Sequence, residues 1–375
     1  MSRPSAPPAS ATGLPPAWRV PLLVLGFLGL LVGTGAGLAR LGWSMPETAA
    51  SAAALHGPLM ICGFFGVVIA LERAVAIGRY WAYLGPLLAG LGSAAAVFGA
   101  MALAPWLYLA GGLVLLAASL DVYRRQRALF TFTLALGAAC WPVGVALWAA
   151  GADVHEVVAW WLGFLILTIA GERLELSRFL PPSRFARATF VLVLAIIVGG
   201  MLGANRPWGA TTFGAGLLAL AAWLLKQDIA RRTVHNKGLT RFIAICLLAG
   251  YAWLALGGAI LAWSGSGFVP GAPAYGAAMH ALALGFVFSM VFGHAAIIFP
   301  AVLRVAVPYH PVFYLPLVLL HLSLLVRIAG DATSRYDWTQ AGGMLNAVAL
   351  AAFIATMVSA VVRGALGGTA AKRAS

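Results

Sequence analysis

The chain has 375 residues, 62% of them hydrophobic and 9% charged, with a mean hydropathy of +0.95. A soluble domain carries about 25% charged residues and a membrane-spanning helix needs about 20 apolar ones, so this composition holds about a dozen spans and excludes a large soluble catalytic domain. The net charge of +14 would suggest nucleic acid in a soluble protein. Here the basic residues stand in short clusters between apolar runs, where they act as topology determinants, and nucleic acid is not an expected partner. Cys62, Cys140 and Cys246 each lie alone in an apolar run, which indicates neither a disulfide framework nor a paired-cysteine site.

The stretch from Met1 to Pro16 is rich in Pro, Ala and Ser and is predicted to be a disordered tail. Residues 1–18 are therefore taken as a tail, 19–363 as one membrane domain and 364–375 as a second tail. Apolar runs between polar or Pro/Gly breaks predict an all-α polytopic protein of twelve helices, the first six at 19–41, 50–77, 80–102, 105–122, 128–150 and 155–178. The remaining six fall at 185–205, 207–226, 239–264, 273–303, 310–329 and 337–363. The first run is longer than a signal-peptide core and lacks a clear cleavage site, so it is expected to be retained. Counted over alternate loops, 20 of the 24 Lys and Arg residues share the side of the N-terminus, and only Arg40, Arg206, Arg327 and Arg335 fall on the other. The positive-inside rule then predicts that both termini are cytoplasmic and that lipid surrounds the chain.

Helices 2, 6 and 10 share a pattern: HGPLMICGFF, HEVVAWWLGF and HALALGF each carry a histidine five to eight residues before a Gly-Phe pair. Nine residues after Gly63, Gly163 and Gly285 stand Glu72, Glu172 and His294. Recurrence every four spans predicts three parallel four-helix pseudo-repeats, the alternative being chance in a Gly- and Phe-rich chain. Gly63, Gly66 and Gly163 are read as close-packing surfaces between helices.

At 1.5 Å per residue, His56 and His280 lie about 10 Å below the outer surface and His321, on helix 11, about 12 Å below it. An ionisable residue inside a span is a functional candidate, the alternative being an interhelical hydrogen bond. His155, at the mouth of helix 6, is either a ligand or a surface residue, while His235 and His310 lie in loops. Imidazole is a ligand for haem iron and for copper, and two histidines at equal depth on different helices can hold a porphyrin between them. The chain contains no CxxCH haem-attachment motif and no HExxH zinc motif.

Toward the other surface, Glu72-Arg73 and Glu172-Arg173 lie about 10 Å deep by the same rise, with Arg79 and Arg178 nearby. A salt-bridge network with snorkelling guanidinium groups, a proton relay, and a metal or cofactor-propionate anchor all remain open. Two carboxylates and an imidazole would form a facial metal triad from Glu72, Glu172 and His294, with His155 a further candidate metal ligand. The adjacent arginines favour a proton or salt-bridge network.

Twelve spans with histidines near the outer ends of helices 2 and 10 resemble subunit I of haem-copper oxidases. That family's catalytic centre needs an adjacent His-His pair and a His-x-His that are absent here, so oxidase activity is not expected. The segments His56-Gly-Pro-Leu-Met60-Ile-Cys-Gly63-Phe64 and His280-Ala-Leu-Ala-Leu-Gly285 are similar to motifs of the NnrS family of haem- and copper-containing membrane proteins. The resemblance implies haem b held by His56 and His280, with copper a second cofactor and nitric oxide or another small gas as ligand, while the depth of His321 makes it a further candidate cofactor or metal contact. It also implies a bacterial inner membrane and a role in nitric oxide metabolism or tolerance, with redox chemistry on nitric oxide as the enzymatic option. The rival readings are a secondary transporter and a sensory membrane protein whose histidines bridge helices.

Overall fold

Backbone N–H and C=O groups cannot stay unpaired in hydrocarbon, so apolar runs of this length close into helices whose bonds are internal. The computed structural model describes residues 13–176, 183–265 and 268–374, with side chains as far as 366. Eleven helices among them are long and apolar enough to cross a membrane. The first half contains α1 (Pro16–Arg40), α2 (Ala53–Ile77), α3 (Leu84–Val97), α4 (Ala104–Arg125), α5 (Leu129–Ala149) and α6 (Val154–Leu176). The second contains α7 (Arg184–Leu202), α8 (Gly209–Gln227), α9 (Gly238–Trp263), α10 (Pro273–Leu303), α11 (Pro311–Ala332) and α12 (Tyr336–Ala374).

The element outside those eleven is α3, a 14-residue helix entered through a 3-10 turn at Tyr80–Tyr83. The apolar run predicts it over 80–102, but it stops at Val97, ahead of a turn at Gly99 with φ +89°. Short as it is, α3 makes the full passage. Tyr83 packs with Leu22 and Val302 at one face of the bundle, while Val97 packs beside Ala36, Ala52 and Leu59 at the other.

The start of α1 and the later part of α12 lie on one face. Buried Arg19 donates to the carbonyls of Leu14 and Val302, each at 2.7 Å, and so caps the C-terminal end of α10 from the start of α1. The start of α12 lies at the opposite face, where Gln340 Nε2 donates to Leu41 O at 2.8 Å, and Gly364 packs on Ala306 just beyond α10. These contacts define a terminal face, carrying the start of α1 and the later part of α12, and a distal face. The first helix begins at Pro16 and the last one continues to Ala374, so helical structure extends into both segments taken as tails.

Neighbouring helices pack as antiparallel hairpins, and α2, α6 and α10 meet at the centre. The glycines of the three Gly-Phe pairs each admit a close neighbour from an adjoining helix. A Cβ on Gly63 would run into Ser93 Oγ of α3, one on Gly163 into Met201 Sδ of α7, and one on Gly285 would lie 2.5 Å from Trp253 Cγ of α9. Each central helix thus uses its glycine to let a neighbour approach, the small-residue packing on which helix association in lipid depends. The exterior is apolar, with Leu31, Leu192 and Leu322 more than half exposed on α1, α7 and α11, as a lipid-facing surface requires.

Candidate functional site

α2 and α10 change character at their histidines. In α2 the α geometry gives way after His56-Gly-Pro58 to a π-helix at Leu59–Phe65, and Gly66 restores it. In α10 the α segment ends at His280 and Ala281–Phe288 is π-helical. Both π segments contain the Gly-Phe pair, a shared local distortion that periodicity in the sequence does not reveal. A π segment carries an extra residue per turn and rotates the rest of the helix about its axis.

The two imidazoles are held from behind. His56 Nδ1 donates to Gly33 O of α1 at 2.7 Å and His280 Nδ1 to Gly276 O one turn earlier at 2.8 Å. A carbonyl only accepts, so each ring carries its proton on Nδ1 and leaves the Nε2 lone pair available. Neither Nε2 has a hydrogen-bond partner among the described residues. The ring centroids are 6.4 Å apart and the planes differ by 14°. Gly37 makes room: a Cβ there would stand 2.8 Å from both Cε1 and Nδ1 of His56.

Both histidines line a cavity of about 480 Å³ in the distal half, walled by Met60, Phe65, Trp161 and Phe288 and rimmed by Arg40, Arg327 and Asp331. Below it Phe64 stacks on Phe288 at 5.9 Å and 4°, Phe65 meets Phe288 at 5.2 Å, and Phe292 stacks on Phe353 at 3.9 Å. These rings form a dry floor between the cavity and the terminal half.

His321 does not join the pair but meets Trp253, the side chain that Gly285 also faces. Trp253 Nε1 donates to His321 Nδ1 at 2.9 Å and the rings stack at 6.1 Å. His321 does not line the cavity, and its Nε2 is buried without a partner. The geometry is that of an interhelical contact between α9 and α11. His155 sits in the first turn of α6, half-buried; its neighbour Val154 lines the cavity and His155 does not.

In the terminal half, the expected triad gives way to a different network. His294 Nδ1 donates to Met290 O at 2.7 Å, so its Nε2 accepts from Arg173 Nη2 at 3.1 Å. Arg173 also lies 3.9 Å from Asp228, whose carboxylate accepts from Tyr251 Oη at 2.7 Å and from the backbone N–H of Ala230 at 2.7 Å. Arg173 and Asp228 are both buried. Glu72 and Glu172 lie within electrostatic reach of each other and of Arg73. Arg178 lies outside the described residues.

Among the described residues, no group of three His, Cys, Asp or Glu side chains comes together in a form that could hold a metal ion. Glu72, Glu172, His294 and His155 therefore do not build the coordination sphere their spacing allowed. Both nitrogens of His294 are committed, and His155 stands about 25 Å along α6 from Glu172 by the helical rise. Asp228 was missed by the charge pattern, since it sits among basic residues in a loop. Its one signal is that it is the sole acid between Glu175 and Asp331.

Fold and site together define a polytopic helical integral membrane protein with a histidine-lined cavity in the distal half of its bundle. The chain belongs to the family described as a domain of unknown function, DUF8744, which matches residues 19–362. No curated protein matches the sequence.

Proposed function

We propose that this membrane protein binds one b-type haem between His56 and His280 and acts in nitric oxide metabolism or tolerance. The observation that carries the haem reading is the pair itself: two nearly parallel rings, each tethered through Nδ1, with centroids 6.4 Å apart. With metal–imidazole bonds of about 2.0 Å and ring centres about 1.1 Å behind the nitrogen, linear ligation by two imidazoles needs centroids about 6.2 Å apart. The observed 6.4 Å separation is close to that requirement. Gly33 and Gly276 hold the rings through their carbonyls, the partner bonds that ligating histidines usually make. Phe65, Phe288 and Trp161 keep the cavity wall apolar and water scarce. When bound, haem supplies one-electron chemistry and affinity for diatomic gases.

The nitric oxide part of the reading rests on the similarity of the His56 and His280 segments to the NnrS motifs. A carrier is disfavoured because α2 and α10 stay helical through their π segments, whereas transporters unwind paired helices near the midplane. The test is the absorption spectrum of the detergent-purified chain. A Soret band with a low-spin signature is expected, lost in His56→Ala and in His280→Ala. A low-spin spectrum retained in both variants, or none in the wild type, would overturn the assignment.

A further inference from the structure

We infer that the α11–α12 wall of the cavity recognises the carboxylates of its ligand, through Arg327 and Asn346. The inference rests on the haem reading and specifies how the same cavity orients a tetrapyrrole. Asn346 is 4% exposed; its Oδ1 accepts from Ser323 Oγ at 2.6 Å, while its Nδ2 is buried with no partner. Arg327 Nε is likewise buried with no partner. Both residues line the cavity. Buried donors without acceptors are costly, and two of them on one wall call for oxygen acceptors from a ligand.

The packing of α12 brings these groups to the wall. Gly342 meets the Arg327 backbone, and a Cβ on Gly343 would lie 3.0 Å from Arg327 Nη1, so two glycines of α12 let the guanidinium lie against that helix. Arg40, at the end of α1, adds a second cation at the mouth. The opposing charge is Asp331, whose Oδ1 accepts from Thr339 Oγ1 at 3.0 Å and whose Oδ2 is buried without a partner. Arg40 and Arg327 against Asp331 leave the rim net positive. An occupant with an apolar body and carboxylates along one edge matches this division, its body over Phe65 and Phe288 and its acid edge at α11–α12. Guanidinium recognises carboxylate with paired, charge-assisted bonds.

The experiment titrates the full chain, prepared haem-free in detergent, with haem and with haem dimethyl ester, whose carboxylates are blocked, following the Soret band. The ester is expected to bind at least tenfold more weakly than haem. Arg327→Gln and Asn346→Asp are expected to weaken haem at least tenfold and leave the ester unaffected or bound more tightly relative to haem, with Arg327→Lys recovering part of the loss. Asn346→Asp keeps the acceptor for Ser323 and replaces the donor with a repelling oxygen. At saturating haem both variants should still give the low-spin spectrum, because His56 and His280 are untouched, and that spectrum reports a folded site. Equal affinity of acid and ester in the wild type overturns the carboxylate inference and leaves the haem reading standing, whatever the variants do. Absence of a low-spin spectrum in the wild type overturns both.

Discussion

At the scale of single residues, the histidine pair depends on the groups behind it. Gly37 has no side chain because the His56 ring occupies the space a Cβ would take, at 2.8 Å. Gly37→Ala is therefore expected to push the imidazole off its axis and convert a fraction of the haem from low-spin to high-spin, visible in the absorption spectrum. An unchanged spectrum would mean that the ring tolerates the displacement. Asp228 has the opposite character, a buried charge with three donors around it. Asp228→Ala strands Arg173 as an unpaired buried cation and is expected to destabilise the protein by about 3–5 kcal/mol. Thermal or denaturant unfolding in detergent reads this, and a loss under about 1 kcal/mol, the range of exposed ion pairs, would show that the network is not structural.

At the scale of elements, the π segments of α2 and α10 set the direction of the histidines relative to the rest of each helix. An α-helix turns about 100° per residue, so deleting Cys62 from the Leu59–Phe65 π segment would restore regular geometry and rotate His56 away from His280. The deletion is expected to abolish the low-spin spectrum while both histidines remain, with the unfolding transition as the control for fold. A retained spectrum would show that the π geometry has no part in aligning the pair. The repeat of histidine and Gly-Phe was legible in the sequence, and in all three units the glycine admits a side chain of an adjoining helix. The π geometry was not legible, because the residues of LMICGFF and ALALGFVF are ordinary helix formers in lipid and carry no local signal for a wider turn. The sequence overstates the length of α3 for a related reason: Ala-rich continuity past Val97 hides a turn made by Gly99.

At the scale of the whole molecule, the start of α1 and the later part of α12 share one face because α3, shorter than the eleven candidate spans, still runs from one face of the bundle to the other. The basic residues cluster toward that face, and the positive-inside rule makes the cytoplasm its expected side. Cysteine labelling of intact cells with an impermeant thiol reagent checks this, with little background because Cys62, Cys140 and Cys246 are buried. Asn205→Cys, in the α7–α8 turn, is expected to label, and Asn236→Cys, in the basic α8–α9 loop, to be protected until the membrane is permeabilised. The reverse pattern would invert the orientation and put the cavity on the cytoplasmic side. The aromatic floor formed by Phe64, Phe65 and Phe288 separates the cavity from the Arg173 network whichever way the bundle sits.

The sequence by itself determined the membrane class, the all-α polytopic architecture, the charge asymmetry between loops, and which helices carry histidines. These depend on composition and on a constant rise per residue, both readable from a string. Only the tertiary structure decided which of those histidines meet. Depth is one coordinate, and the other, the direction a side chain takes around its helix, depends on crossing geometry and local winding. So His56 and His280 come together, His321 turns to Trp253, and His294 is taken by Arg173. Asp228 reaches Arg173 and Tyr251 from a loop whose path no periodicity describes.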